Sequence, residues 1–171
     1  MSAEKCNGAA LRYVAAGLKT KGQVMDYLKR KGFADSEVEE AVRMLEDYNY
    51  INDTYYCTVY YKEACRKGRG RRRIEQELES KKISRDIIRD ALDDFLSEDN
   101  PDYEDVIAET LTEKERAMRI AEKMTSEQKS LGKPIDRNFC AKVGRRLMTN
   151  GYSNDIIYHC IGQVMKGQRD E

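Results

Sequence analysis

The stretch 24–45, VMDYLKRKGFADSEVEEAVRML, decides the fold. Val24 and Leu28 stand four residues apart, and Val38, Ala41, Val42 and Leu45 follow the i, i+3, i+4, i+7 rule. Lys31-Gly32 interrupts the two patterns just before Phe33. Two apolar helical faces separated by a tight turn read as helix-turn-helix. The pattern returns in 74–95, IEQELESKKISRDIIRDALDDF, and in 143–164, VGRRLMTNGYSNDIIYHCIGQV. Val24, Ile74 and Val143 open the three copies, and Leu45, Phe95 and Val164 close them at identical offsets. Self-similarity of this kind is the mark of tandem helical repeats, whose neighbours share a core.

The turns carry matching chemistry. Gly32 and Gly151 suit the left-handed conformation that ends a helix, whereas Lys82, at the same place in the second copy, adopts it at a cost. Asp35 or Ser36, Ser84 and Ser153 stand where a side-chain oxygen caps the next helix. Phe33, Ile83 and Tyr152 precede those positions, as in a hydrophobic staple.

A leading helix precedes each pair. Ala9, Ala10, Tyr13, Val14 and Leu18 mark the first, and Asn52 or Asp53 caps the second, which runs through Tyr56, Cys57, Tyr60 and Ala64. Asn100-Pro101 opens the third, expected to continue from Tyr103 through Leu111 toward Met124, with an irregular stretch over 125–136. The expected architecture is all-α: three tandem three-helix repeats, over 8–48, 52–97 and 101–166, forming an elongated curved array.

Composition agrees. The chain has 171 residues, 31 Lys+Arg against 31 Asp+Glu, two prolines and no Trp. Scarce Pro and Gly beside abundant Glu, Lys, Arg and Leu favour helices. No apolar run approaches the roughly 20 residues of a membrane span, and Met1–Lys5 lacks the apolar region of a secretory leader, so a cytoplasmic protein is expected. Five cysteines without Cys-x-x-Cys spacing read as reduced core residues, with no metal site. Gly68-x-Gly70 lacks the third Gly of a phosphate loop, and His159 is the sole histidine. No catalytic constellation emerges, and neither an enzyme nor a cofactor is expected.

With the repeats in view, two runs carry a resemblance: Ile51-Asn52-Asp53-x2-Tyr56-Cys57-x2-Tyr60, and Gly68-x-Gly70-x3-Ile74-x2-Glu77-Leu78-x3-Lys82-Ile83. They resemble the RecX family, regulators of the RecA recombinase. Tyr56, Cys57 and Lys82 stand where that family usually has Phe, Ala and Gly, and Tyr48-Asn49-Tyr50 replaces a Gly-Tyr pair. The resemblance implies a non-enzymatic protein that docks along the groove of the RecA–ssDNA filament. Its expected effect is to limit filament growth, ATP hydrolysis and strand exchange in DNA repair and the SOS response.

Zero net charge hides a segregation. Residues 62–73 hold Lys62, Arg66, Lys67, Arg69, Arg71, Arg72 and Arg73 against Glu63 alone. Residues 93–105 hold seven acids and no base. The basic block spans the bend between the second leading helix and its helix-turn-helix, where Gly68 and Gly70 would let the arginines fan outward. Closely packed like charges call for an anionic partner, and guanidinium forks suit phosphate or carboxylate. Lys81 and Lys82, and Arg145 and Arg146, sit beside equivalent repeat turns and extend the candidate surface; Lys29, Arg30, Lys31, Arg85 and Lys142 are similarly placed. The expected partners are a RecA-type filament and, through backbone contacts, single-stranded or duplex DNA. Four neutralised single-strand phosphates would cost roughly 60-fold in affinity between 50 and 200 mM salt.

The acidic block would meet basic loops of the recombinase or, in the favoured reading, oppose the basic block within the molecule. Among the clustered tyrosines, Tyr56 and Tyr60 have core spacing, while Tyr55 and Tyr61 are expected to be exposed. The alternative function is a helix-turn-helix DNA-binding regulator acting without a recombinase. Against it, the second helices open on Asp35 and Glu37, Asp86 and Asp155, which phosphates repel.

Overall fold

The computed structural model describes residues 3–167, so Met1 and Ser2 of the leader reading lie outside them. Among the described residues there are ten helices and no strand: α1 (Ala3–Ala15), α2 (Lys21–Arg30), α3 (Asp35–Asp47), α4 (Asp53–Arg66), α5 (Arg71–Ser80), α6 (Arg85–Phe95), α7 (Tyr103–Thr110), α8 (Glu113–Ser130), α9 (Arg137–Thr149) and α10 (Asn154–Lys166). No described helix is long and apolar enough to cross a membrane.

The pairs α2/α3, α5/α6 and α9/α10 are the three helix-turn-helix elements read from the spacing. Their aligned apolar side chains are buried, apart from Phe33, Phe95 and Ile161, which are partly buried. The chain forms two compact units, Met1–Tyr60 with Glu77–Phe95 and Tyr61–Gln76 with Leu96–Glu171, so the division runs through α4 and α5. In the first, Cys6, Ala9 and Ala10 of α1 pack with Val24 and Leu28 of α2 and with Val38, Ala41, Val42 and Leu45 of α3. In the second, Ala117 and Ala121 of α8 join Phe139, Val143 and Leu147 of α9 and Ile156, Ile157, Cys160 and Val164 of α10.

Each unit contains one copy of the same junction. In the first, Thr20, four residues before Val24, donates its hydroxyl to the carbonyl of Lys81 at 2.6 Å, two residues before Ile83. In the second, Gly70, four residues before Ile74, donates its amide to the carbonyl of Asn150 at 2.8 Å, two residues before Tyr152. Backbones approach closely at both. A Cβ at Gly22 would collide with Lys82 Cβ and lie 2.9 Å from the Lys82 carbonyl oxygen. A Cβ at Gly151 would lie 2.5 Å from the Arg73 amide nitrogen. The third repeat has Phe139 at the corresponding position, buried inside α9, which starts three residues earlier relative to its first core position than α2 and α5 do. Asp136 caps that extra turn by accepting from the Phe139 amide at 2.9 Å. The junction is therefore not offered again.

The turn glycines take the conformation their chemistry allows, whereas Ser153, at the N-cap of α10, makes no side-chain cap bond. Gly32 and Gly151 have φ of 84° and 86°, and Lys82 takes the same conformation at 69°. A side chain there costs about 1–2 kcal/mol, of which greater unfolded-chain freedom would return about 0.4–1 kcal/mol on mutation to glycine. Lys82→Gly should therefore raise stability by about 0.5–1 kcal/mol, or a few degrees in Tm. Its ion pair with Asp26 is loose at 3.8 Å and exposed, so little is lost with it. A lower melting temperature would overturn this expectation.

Several expectations need correction. The third leading helix is two helices: α7 ends at Thr110, Leu111 after it takes φ of 59°, and α8 starts at Glu113. The cause is a capping box, in which Thr112 Oγ1 accepts from the Glu115 amide at 3.3 Å and Glu115 accepts from the Thr112 amide at 2.8 Å. The stretch expected to be irregular from residue 125 stays helical to Ser130. At α3, Ala34 occupies the N-cap and donates its amide to Glu37 at 2.9 Å, because Asp35 already lies within the helix. Leu18 lies beyond α1 and is exposed.

Candidate functional site

The basic bend is built between α4 and α5 in the second unit. Gly68, at φ 70°, reverses the chain, with its amide on the Cys65 carbonyl at 2.9 Å and the Arg69 amide on Ala64 at 3.2 Å. The Tyr152 hydroxyl donates to the Gly68 carbonyl at 2.9 Å. Gly70 admits the backbone of the 150–151 turn, since a Cβ there would lie 2.6 Å from the Gly151 carbonyl oxygen. Gly70 thus serves close packing, where the sequence had suggested freedom for the arginines. Arg73 Nη1 donates to the Thr149 carbonyl at 3.2 Å. These bonds join the bend to the end of α9, which carries Arg145 and Arg146.

Part of the basic block finds its anion within the chain. Lys62 pairs with Glu109 of α7 at 2.8 Å, and Arg66 bonds the other oxygen of the same carboxylate. The Lys62 hydrogen bond, with the Arg66 charge behind it, holds the Glu109 carboxyl below its ordinary range. Lys67 pairs with Glu63 at 2.7 Å and lowers it likewise. Arg71 Nε meets Glu75 at 2.7 Å, while the Arg71 amide donates to Glu113 at 2.9 Å. Arg69 and Arg73 are also engaged. Arg72, Arg145 and Arg146 are exposed and make no ion pair among the described residues.

Lys81 and Lys82 belong to the first unit, where Lys81 Nζ stands 5.3 Å from the Tyr60 ring centroid and Lys82 faces Asp26. The favoured reading of the acidic block does not hold as stated. Glu98, Asp99, Asp102, Glu104 and Asp105 enter no ion pair among the described residues, and the carboxylates that meet the bases are Glu63, Glu75 and Glu109. The reason is local: Glu109 lies one helical turn beyond Asp105, the end of the acidic run, on the same α7, while Glu63 and Glu75 are i, i+4 partners on the same helices as Lys67 and Arg71.

Tyr55 is exposed as expected, but Tyr61 is 4% exposed. It is claimed by a buried node that the sequence did not signal. Arg116 of α8, 4% exposed, donates Nη1 to the carbonyls of Thr110 at 3.1 Å and Leu111 at 2.6 Å, and Nη2 to the Tyr61 hydroxyl at 3.3 Å. The guanidinium carbon lies 5.7 Å from the Tyr61 ring centroid, and Nε is buried without a partner. The cation neutralises the carbonyl end of α7, where the helix dipole is negative, and ties the α7–α8 corner to α4 beneath the bend. Burial pushes the phenols of Tyr61 and Tyr152 up to about 12.

The five cysteines are buried free thiols, and burial pushes Cys57 up to about 11. Among the described residues no group of His, Cys, Asp or Glu could hold a metal ion.

Comparison with known proteins adds two family models, described as the first and second three-helix domains of RecX, matching residues 8–45 and 52–92. The chain is 34% identical over 151 residues to the regulatory protein RecX of Clostridium perfringens (strain 13 / Type A), covering 86% of this chain and 71% of that one. It is 31% identical over 163 residues to the regulatory protein RecX of Clostridium botulinum (strain Eklund 17B / Type B), covering 94% and 69%. The crystal structure of RecX from Lactobacillus salivarius superposes with a TM-score of 0.77 at 26% identity, covering 95% of this chain and 96% of that one.

Proposed function

The chain belongs to the RecX family, and from that premise we propose that it regulates a RecA-type recombinase, binding along the RecA–ssDNA filament and limiting its growth, ATP hydrolysis and strand exchange. It acts by occupying a surface, inside the cell, in the regulation of DNA repair. The observation that carries this reading is the basic face of the second unit, where the bend is bonded to the end of α9 and Arg72, Arg145 and Arg146 stay unneutralised. Three such guanidiniums suit the phosphates or carboxylates of a filament, which repeats its anionic groups along its length.

The structure changes which residues should be tested. Arg71 and Arg73 bond Glu75 and the Thr149 carbonyl, so reversing them would disturb the bend itself. Arg72→Glu, Arg145→Glu and Arg146→Glu together remove charge without removing an internal partner. The triple variant should keep its melting temperature within about 2 °C and lose its inhibition of filament-dependent ATP hydrolysis and strand exchange. If its contacts are to DNA phosphates, three of them predict a roughly 20-fold loss of wild-type affinity between 50 and 200 mM salt. Inhibition equal to wild type would remove this face from the mechanism. Sequence-specific duplex binding without recombinase would favour the helix-turn-helix regulator instead.

A further inference from the structure

A groove of about 530 Å³ opens in the second unit between the bend, α8 and α9. Its rim carries Lys67, Lys123, Lys142 and Arg146, and its only acid is Glu127. Lys123, Lys142 and Arg146 are exposed and make no ion pair among the described residues, although Glu127 lies one helical turn beyond Lys123. The floor is aliphatic and thioether: Ile120 and Met124 are partly buried, and Leu131 is 65% exposed. Gly68 keeps the mouth open, since a Cβ there would lie 3.2 Å from Ile120 Cδ1. A second hollow of about 490 Å³ shares Gly68, Ile120 and Lys123 and adds Arg66 and Arg119 against Glu109. The trough therefore runs past the bend with cations on its rims.

We propose that this trough docks an acidic peptide segment of the protein partner, its carboxylates on Lys123, Lys142 and Arg146 and its apolar side chains on Ile120, Met124 and Leu131. The inference rests on the recombinase reading and deepens it by naming the chemistry of the surface recognised. Charge alone would also admit a nucleic-acid strand, but single strands are held by exposed aromatic faces on which bases stack. The one aromatic ring here is Phe139, 3% exposed. A floor of Ile, Met and Leu is instead the adaptable surface that receives apolar peptide side chains, with methionine accommodating varied shapes.

The test uses the full chain and a fluorescein-labelled peptide of repeating Asp-Glu-Leu, a control with every Leu replaced by Ser, and an oligothymidylate of similar length. The leucine peptide should bind about tenfold or more tightly than the serine peptide. Lys123→Glu with Lys142→Glu, and separately Leu131→Ser, should weaken it by a similar factor while leaving the melting temperature unchanged, and the first variant should inhibit the filament less potently than wild type. Equal binding of the two peptides, tighter binding of oligothymidylate, or undiminished binding or inhibition by the variants would overturn the docking site. Self-association of the chain that the lysine reversals abolish would also overturn it, assigning the trough to residues 98–105 of a second copy. A wild-type chain that binds the leucine peptide but does not inhibit a filament would sink the recombinase reading and leave the trough standing.

Discussion

Replacing Arg116 with methionine should lower the unfolding free energy by about 3–5 kcal/mol, because two carbonyls and a phenol lose a buried donor at about 1–3 kcal/mol each, partly offset by no longer burying a charge. For a chain of this length that is a fall of roughly 6–20 °C in Tm. The side chain is 4% exposed, and its bonds to Thr110, Leu111 and Tyr61 hold the non-helical corner where Leu111 has φ of 59°. Methionine fills much of the space with no donor. Lysine keeps the charge but, as a point donor, cannot span the same three acceptors with a planar fork, so Arg116→Lys should recover less than half of the loss. Arg119→Met, one turn along on the exposed side of α8, should change stability by no more than about 0.5 kcal/mol. Chemical denaturation of the three variants checks all of this. A loss below about 1 kcal/mol for Arg116→Met would mean that water satisfies the corner as well as the guanidinium does.

The helix pairs were legible because their apolar spacing is a local pattern: Val38, Ala41, Val42 and Leu45 can bury one face only as a helix. The structure departs from the local pattern at one capping signal and wherever a partner lies far away in sequence. Thr112-x-x-Glu115 is a complete capping box, readable from the chain, and it splits the third leading helix. Lys123 and Arg119 carried no signal, because a trough between α8, α9 and the bend exists only once residues more than fifty positions apart are brought together. Arg116 was invisible for a related reason. An arginine in a polar helix reads as surface, and only the carbonyl end of α7 and the Tyr61 ring make its burial tolerable. The charge block is legible in the chain itself, but its neutralisation by Glu109 depends on tertiary packing, which spacing does not encode.

The same node predicts a steep loss of stability at alkaline pH. Burial pushes Tyr61 and Tyr152 up to about 12, with the Arg116 charge acting in the opposite direction on both. In the unfolded chain a tyrosine titrates near 10. Below that value both states hold both protons and these groups give no pH dependence. Between about 10 and 12 the unfolded chain sheds two protons that the native state keeps, so stability falls by about 2.7 kcal/mol per pH unit. By pH 12 the loss reaches about 5 kcal/mol, comparable to the whole stability of a marginal domain. Cys57, pushed up to about 11, acts in the same sense from near pH 9. Urea midpoints at pH 9, 10 and 11, read beside phenolate absorbance, should show two tyrosines ionising only as helicity is lost. Tyr61→Phe removes one proton from the balance and should halve the tyrosine share of the slope, about a third of the whole between pH 10 and 11 where Cys57 also contributes. Phenolate absorbance rising in full before any loss of helicity would show that these hydroxyls ionise within the native fold, and the linkage would not exist.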